Sequence, residues 1–321
     1  MAVAARVDPK SFFTPEEWAP LSARSSWKGL ALVAHCWAVI GLAWAGVIAA
    51  SVYLGPFWPL TLLISTPIIG GRILGLGILQ HDAAHGALHP NQKFGDWVSN
   101  WFCTSGVEAY RKYHLQHHKF AQQAEDPDLV LSAPFPITRR SLRRKIVRDL
   151  TGQTWFNQRF GGFVSRLKAR RAGEPLLPII GREIVRQRRW LMVNGVIIAL
   201  TSAAGFWWAW FALWLLPRAT WYQMITRFRN IAEHALVAKN EPDPLRHARS
   251  THANWLERIL IAPYWVNYHC EHHMFMHVPC WNLPKVQQLL RQKGVLERMR
   301  TAPGYLSVLA AASAAPGRSG R

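Results

Sequence analysis

The chain alternates between long stretches with no charge and segments dense in it. From Gly29 to Gly71 there is no Lys, Arg, Asp or Glu, and a second charge-free stretch runs from Trp190 to Pro217. A helix of about twenty apolar residues crosses a hydrocarbon core of roughly 30 Å. The first stretch holds two such spans, about 29–52 and 57–80. Tyr53-Leu54-Gly55-Pro56 supplies the turn, because Gly and Pro interrupt helices and Pro56 can open the next one. The second stretch is shorter, so its two spans, about 184–203 and 206–226, borrow flanking residues and turn at Ser202-Ala203-Ala204-Gly205; one long tilted span is the alternative. Residues 94–110 are aromatic and amphipathic but too short and polar to cross, which predicts a helix lying in the interface. The pattern predicts an all-α integral membrane protein with about four transmembrane helices. A single domain over 29–290 follows a polar segment, 1–28, with helix-start residues Thr14-Pro15-Glu16-Glu17 and no cleavable signal pattern. Residues 291–321 are expected to form a partly disordered tail.

Charge sets the orientation. The 321 residues carry 38 Lys and Arg against 18 Asp and Glu, a formal net charge of +20. Between Arg139 and Arg189 fifteen basic residues face three acidic ones, Asp149, Glu174 and Glu183, whereas both proposed outer turns are uncharged. The positive-inside rule then places both termini and this basic segment in the cytoplasm. Basic residues flanking membrane spans match anionic head groups, so nucleic acid is not the expected partner. The four cysteines, Cys36, Cys103, Cys270 and Cys280, show no CxxC spacing and are read as packing residues.

Nine of the fourteen histidines fall in tight clusters: His81-x-x-x-His85, His114-x-x-His117-His118, and His269-x-x-His272-His273, with Asn230-x-x-x-His234 between the last two. Spacings of three and four share a helix face, so each cluster is expected to aim its imidazoles at one point. Nine nitrogens exceed the four positions of a tetrahedral zinc ion, which favours two metal ions. On the four-span arrangement all clusters lie at the cytoplasmic ends of the spans. After the second cluster, Glu125-Asp126-Pro127-Asp128 supplies carboxylates that could orient ligand rings, or form a solvated turn. A histidine-rich metal pair opening toward lipid is suited to activating dioxygen against an apolar substrate.

The order HDxxH, HxxHH, NxxxH, HxxHH, with Asn267-Tyr268-His269-Cys270-Glu271-His272-His273-Met274-Phe275, then Val278-Pro279 and Asn282-Leu283-Pro284, resembles the membrane fatty acid desaturase and hydroxylase superfamily over roughly residues 30–290. The resemblance implies four membrane helices under a cytosolic helical cap, an acyl chain passing the metals, and two non-heme irons. It makes His81, His85, His114, His117, His118, His234, His269, His272 and His273 direct ligands, with Asn230 contributing through a water. The first box has three residues between its histidines where some acyl-CoA desaturases have four, which puts the substrate carrier in doubt. No fused cytochrome b5 or ferredoxin segment is read in the chain. The expected electron donor is therefore a separate protein of either type, docking on the basic face.

The expected function is desaturation of a fatty acyl chain. A hydroxylase, a carotenoid ketolase or an alkene-forming fatty acid decarboxylase would use the same metals. From another class, a zinc protease should show HExxH where this chain has His81-Asp82-Ala83-Ala84-His85, and a metal transporter should carry its ligands at mid-depth of the spans.

Overall fold

The computed structural model describes residues 6–103, 106–132, 134–170 and 175–314, so Glu174 of the central charge balance lies outside the described residues. Along the chain, the helices are α1 (Pro15–Ser22), α2 (Lys28–Tyr53), α3 (Leu62–Ala84), α4 (Gln92–Phe102), α5 (Val107–Lys119), α6 (Leu129–Ser132), α7 (Arg139–Leu150) and α8 (Gln153–Lys168). They continue as α9 (Leu177–Ala203), α10 (Leu216–Ala219), α11 (Trp221–His234), α12 (Trp255–Leu260), α13 (His269–Met274), α14 (Leu283–Gln292) and α15 (Tyr305–Ala312). The fold is mostly helical. Two short strands, β1 (Ser250–Thr251) and β2 (Thr301–Ala302), pair in parallel with Ser250 opposite Thr301. The chain divides into two compact units: Met1–Trp37, Gly71–Arg144 and Ile225–Arg321 form one, Ala38–Gly70 and Lys145–Met224 the other.

Among the described residues two segments, Lys28–Tyr53 and Gly55–Ala84, are long and apolar enough to cross a membrane, so the four-span expectation is met only in part. Charge and proline explain the rest. Helix α9 has the length, but Arg182, Glu183, Arg186, Arg188 and Arg189 occupy its first half. The expected span over 206–226 is broken: a π-helical turn at Phe211–Leu215 runs into α10, and Pro217 lacks the N–H that a continuous helix needs. Of the tryptophans crowded at its start, Trp210 and Trp214 are buried and Trp207 is exposed. Within this unit Trp210 Nε1 donates to Asn194 Oδ1 at 2.9 Å and Trp44 Nε1 to the Leu213 carbonyl at 3.0 Å, so both rings are held by packing and hydrogen bonds.

The interfacial helix expected over 94–110 is two helices. The Asn91 side chain accepts from Phe94 N at 3.1 Å to cap α4, and Asn100 Oδ1 accepts from Val107 N at 2.9 Å to start α5. Phe94, Trp97, Trp101 and Phe102 are exposed, an aromatic face suited to the interface.

The unit that holds the histidines takes in residues 6–37 and 225–314. A capping box between Thr14 and Glu17 starts α1, Phe13 stacks on Trp18 and meets Phe275 edge-on, and Asn282 Nδ2 donates to the Leu21 carbonyl at 2.8 Å. In the expected tail, α15 buries Tyr305, Val308, Leu309 and Ala312, because its apolar sequence supplies a face to pack; Ile137 N donates to the Ala312 carbonyl at 2.8 Å. Residues 301–314 are part of the folded body.

Candidate metal centre

Each histidine cluster sits where a helix ends or is short, and the ends are held by side chains the motifs do not include. Helix α3 stops just before His85 because Gly86 takes a left-handed φ of 67°, letting Gly86 N donate to the Ala83 carbonyl at 3.0 Å and Ala87 N to the Asp82 carbonyl at 2.8 Å. Arg111, one turn before His114 on α5, reaches back to cap the same end. Its Nε donates to the Ala84 carbonyl and its Nη2 to the Ala83 carbonyl, each at 2.8 Å, while Asp96 holds the guanidinium in a two-point pair. The first two clusters are thus tied together by one arginine. Arg249 does the same for α11, donating to the Ala232 and Ala235 carbonyls at 2.9 Å on either side of His234. Asp82, between His81 and His85, accepts from Cys280 N at 2.9 Å and fixes the segment after α13 to the first cluster.

The nine imidazoles converge as two groups. His81, His85, His114, His118 and His272 form one, and His117, His234, His269 and His273 the other; within each, one ligand atom per residue lies within 4.8 Å of all the others. Each HxxHH motif is split between them, which corrects the expectation that a cluster aims at one point. Residues four apart lie about 40° apart around a helix, whereas their odd neighbour is swung about 100° from the second of them. Helix α5 gives its i, i+4 pair, His114 and His118, to the first group and His117 to the second; α13 gives His269 and His273 to the second and His272 to the first.

The donor set suits a metal site. His118 Nε2 lies 3.0 Å from both His114 Nε2 and His272 Nε2, and a neutral ring carries one N–H, so it cannot satisfy both. His269 Nε2 lies 2.9 Å from His234 Nε2 and 3.1 Å from His273 Nε2. Among the described residues, His81 Nε2 and both nitrogens of His85 are buried without a hydrogen-bond partner. Burial first, and neighbouring imidazoles second, hold His85, His114, His118, His234, His269, His272 and His273 well below the ordinary imidazole range, in the neutral form that binds metals. His117 goes the other way. Burial opposes its cation, but the Asp126 hydrogen bond and the charges of Asp126, Asp128 and Glu233 outweigh that.

Of the two readings of the acidic turn, the structure places Asp126 in ring orientation. Buried Asp126 accepts His117 Nδ1–H at 2.8 Å, Gln122 N at 3.0 Å and Asp128 N at 2.8 Å, which leaves His117 Nε2 free to face the centre. Asn230 is one turn before His234 on α11, half-buried, with its amide oxygen accepting from Arg229 Nη2 at 3.3 Å. His89 and His247 stay outside the two groups: Asn91 N donates to His89 Nδ1 at 3.0 Å, and His247 Nε2 lies 2.8 Å from the Glu241 carbonyl. Sequence reasoning missed Arg111, Arg249 and Glu233. The signal for Glu233 was local, an acid beside a ligand at i, i+4 spacing from Arg229, whose Nε lies 3.1 Å from Glu233 Oε2.

Residues 56–302 match the family model described as fatty acid desaturase. A dihydrorhizobitoxine desaturase of Bradyrhizobium elkanii is 25% identical over 296 residues, which cover 88% of this chain and 78% of that protein. A beta-carotene ketolase of Paracoccus sp. (strain PC1) is 28% identical over 224 residues, 67% of this chain and 74% of the ketolase.

Proposed function

Because the chain belongs to the fatty acid desaturase family, a family of oxidoreductases, we propose that it is a membrane-bound, non-heme diiron enzyme that desaturates a fatty acyl chain. The observation that carries this is the pair of adjoining histidine groups, five and four imidazoles, in one compact unit. On this assignment the nine histidines are direct ligands and Asn230 acts through a water. The number of donors, five and four, supports iron over a four-coordinate zinc ion. With metal–nitrogen bonds of about 2.1 Å, donors at right angles lie about 3.0 Å apart and tetrahedral donors about 3.4 Å apart. Four of the Nε2 pairs lie at 2.9, 3.0, 3.0 and 3.1 Å, near the right-angle value, and a fifth, His117 to His273, lies at 3.3 Å, near the tetrahedral one.

Bound iron supplies the activation of O2 needed to break an unactivated C–H bond. Removing two hydrogens from adjacent carbons, with two external electrons and two protons, balances reduction of O2 to two waters. The chain's part is to hold the ligands other than His117 toward the neutral form, fix their direction and exclude water. Burial does the first and last, while Asp126, Asp82, Arg111 and Arg249 do the second. The electrons come from a separate ferredoxin or cytochrome b5 type protein drawn to the basic cytoplasmic side, where both termini and the metal site lie on this proposal. A ketolase or hydroxylase outcome is the second reading, favoured by the ketolase relative.

Mass spectrometry of total lipids from cells with and without the gene is the test. Loss of two hydrogens from an acyl chain supports desaturation, gain of oxygen supports the second reading, and an unchanged lipid profile in cells that make the folded protein counts against both.

A further inference from the structure

The two groups are built from imidazoles alone, so two divalent ions among them would bring positive charge into a buried site with no anion in the donor set. The carboxylates near the centre differ in which face of a ring they approach. Asp126 and Asp128 face His117 Nδ1 at 2.8 and 3.7 Å, and Asp82 faces His81 Nδ1 at 3.7 Å, all on the side away from the converging Nε2 atoms. Glu233 faces the other side, with Oε2 3.6 Å from His269 Nε2. It is 2% exposed, and among the described residues neither carboxylate oxygen has an aligned hydrogen-bond donor. Arg229 Nε lies 3.1 Å from Oε2 as an ion pair without hydrogen-bond alignment, which steadies the carboxylate and leaves lone pairs unused.

We propose that Glu233 is the oxygen ligand of the four-histidine group, so that the two ions are chemically unequal, one held by five imidazoles and the other by four imidazoles and a carboxylate. With bonds of about 2.1 Å, two donors on one ion lie about 3.0 Å apart at a right angle and about 4.2 Å apart when opposite. The 3.6 Å between Glu233 Oε2 and His269 Nε2 falls inside that range. Both groups then have five protein donors, and the anionic one partly neutralises its ion.

The proposal rests on the diiron assignment, and the test separates the two. Wild-type protein and Glu233→Gln, both produced with iron, are compared for iron content, rate of release to a ferrous chelator, and Mössbauer spectrum. The expected result is that Glu233→Gln releases one of its two irons at least ~10-fold faster, with one quadrupole doublet shifted and the other unmoved. Release at the wild-type rate with an unchanged spectrum overturns the ligand role, because a carboxylate that merely pairs with Arg229 leaves the iron spectrum alone. If Glu233→Gln is not recovered folded, Glu233→Asp decides in the same way: a ligand one methylene shorter releases its iron faster, and a charge-balancing acid does not. Wild type without iron overturns the diiron assignment itself, before any variant is made.

Discussion

Substituting Asp126 with Asn tests how far ring orientation governs metal retention. Asp126 is 5% exposed and accepts three hydrogen bonds, one from His117 Nδ1 and two from the backbone at Gln122 and Asp128. Asp126→Ala would orphan all three donors at about 1–3 kcal/mol each, a sum comparable with a typical folding free energy of about 5–15 kcal/mol. That variant is expected to misfold and teach little. Asp126→Asn keeps the volume and one oxygen, which at the Oδ1 position still accepts from His117 Nδ1 and Asp128 N but leaves an NH2 facing Gln122 N; the charge assistance to His117 is lost with the carboxylate, in a bond worth about 1.5–3 kcal/mol. An independent figure agrees. Losing the partner that orients a metal-bound histidine typically costs about 10–100-fold in affinity, which at about 1.4 kcal/mol per decade is about 1.4–2.8 kcal/mol. Asp128 Oδ2, 3.7 Å from His117 Nδ1, offers a poorer substitute and pulls the expectation to the lower half of that range. Chelator competition on the iron-loaded protein should therefore show roughly 10–30-fold weaker retention in Asp126→Asn, with membrane insertion unchanged. Wild-type affinity in a folded Asp126→Asn protein would refute the claim that this bond orients a ligand.

His234→Ala should lower iron content and abolish lipid oxidation, while His89→Ala, which alters a ring outside both groups, should do neither; full iron in His234→Ala would remove α11 from the site. Metal-free protein should lose stability as pH falls below about 6.5, the unfolded imidazole value, because the seven histidines depressed by burial stay neutral when folded and take up protons when unfolded, each steepening the slope by up to about 1.4 kcal/mol per pH unit. His117, raised in the fold, has the opposite sign: its contribution is complete below about 6.5 and is lost as pH rises through its folded value. A flat thermal-melting profile of the metal-free protein between pH 7 and 5 would contradict this net dependence. Gly75→Ala should destabilise by about 1–3 kcal/mol, since a Cβ there would sit 2.8 Å from Tyr264 Cε2 and 3.0 Å from Cys36 Sγ. Gly77→Ala, with nothing within 4 Å, should be neutral in the same unfolding assay.

Local spacing in the sequence determined which residues the candidate metal centre draws on. Intervals of three and four put His114, His117 and His118 on one side of α5 whatever α5 packs against, and the charge-free run from Gly29 to Gly71 has to find an apolar environment in any fold. The second charge-free stretch was less decisive. Its span lengths depended on residues outside the run, where arginines and Pro217 interrupt the pattern. Only the tertiary structure decided how the imidazoles divide, because the 100° between adjacent helical residues acquires meaning once α3, α5, α11 and α13 are fixed against one another. That fixing is done by Arg111, Arg249, Asp82 and Asp126, whose partners lie between 2 and 198 positions away in the chain and follow no interval a motif could carry. The same reason hid Glu233. A glutamate beside a histidine on a helix can face solvent or a neighbouring ring, and only the approach of α13 places its carboxylate against His269.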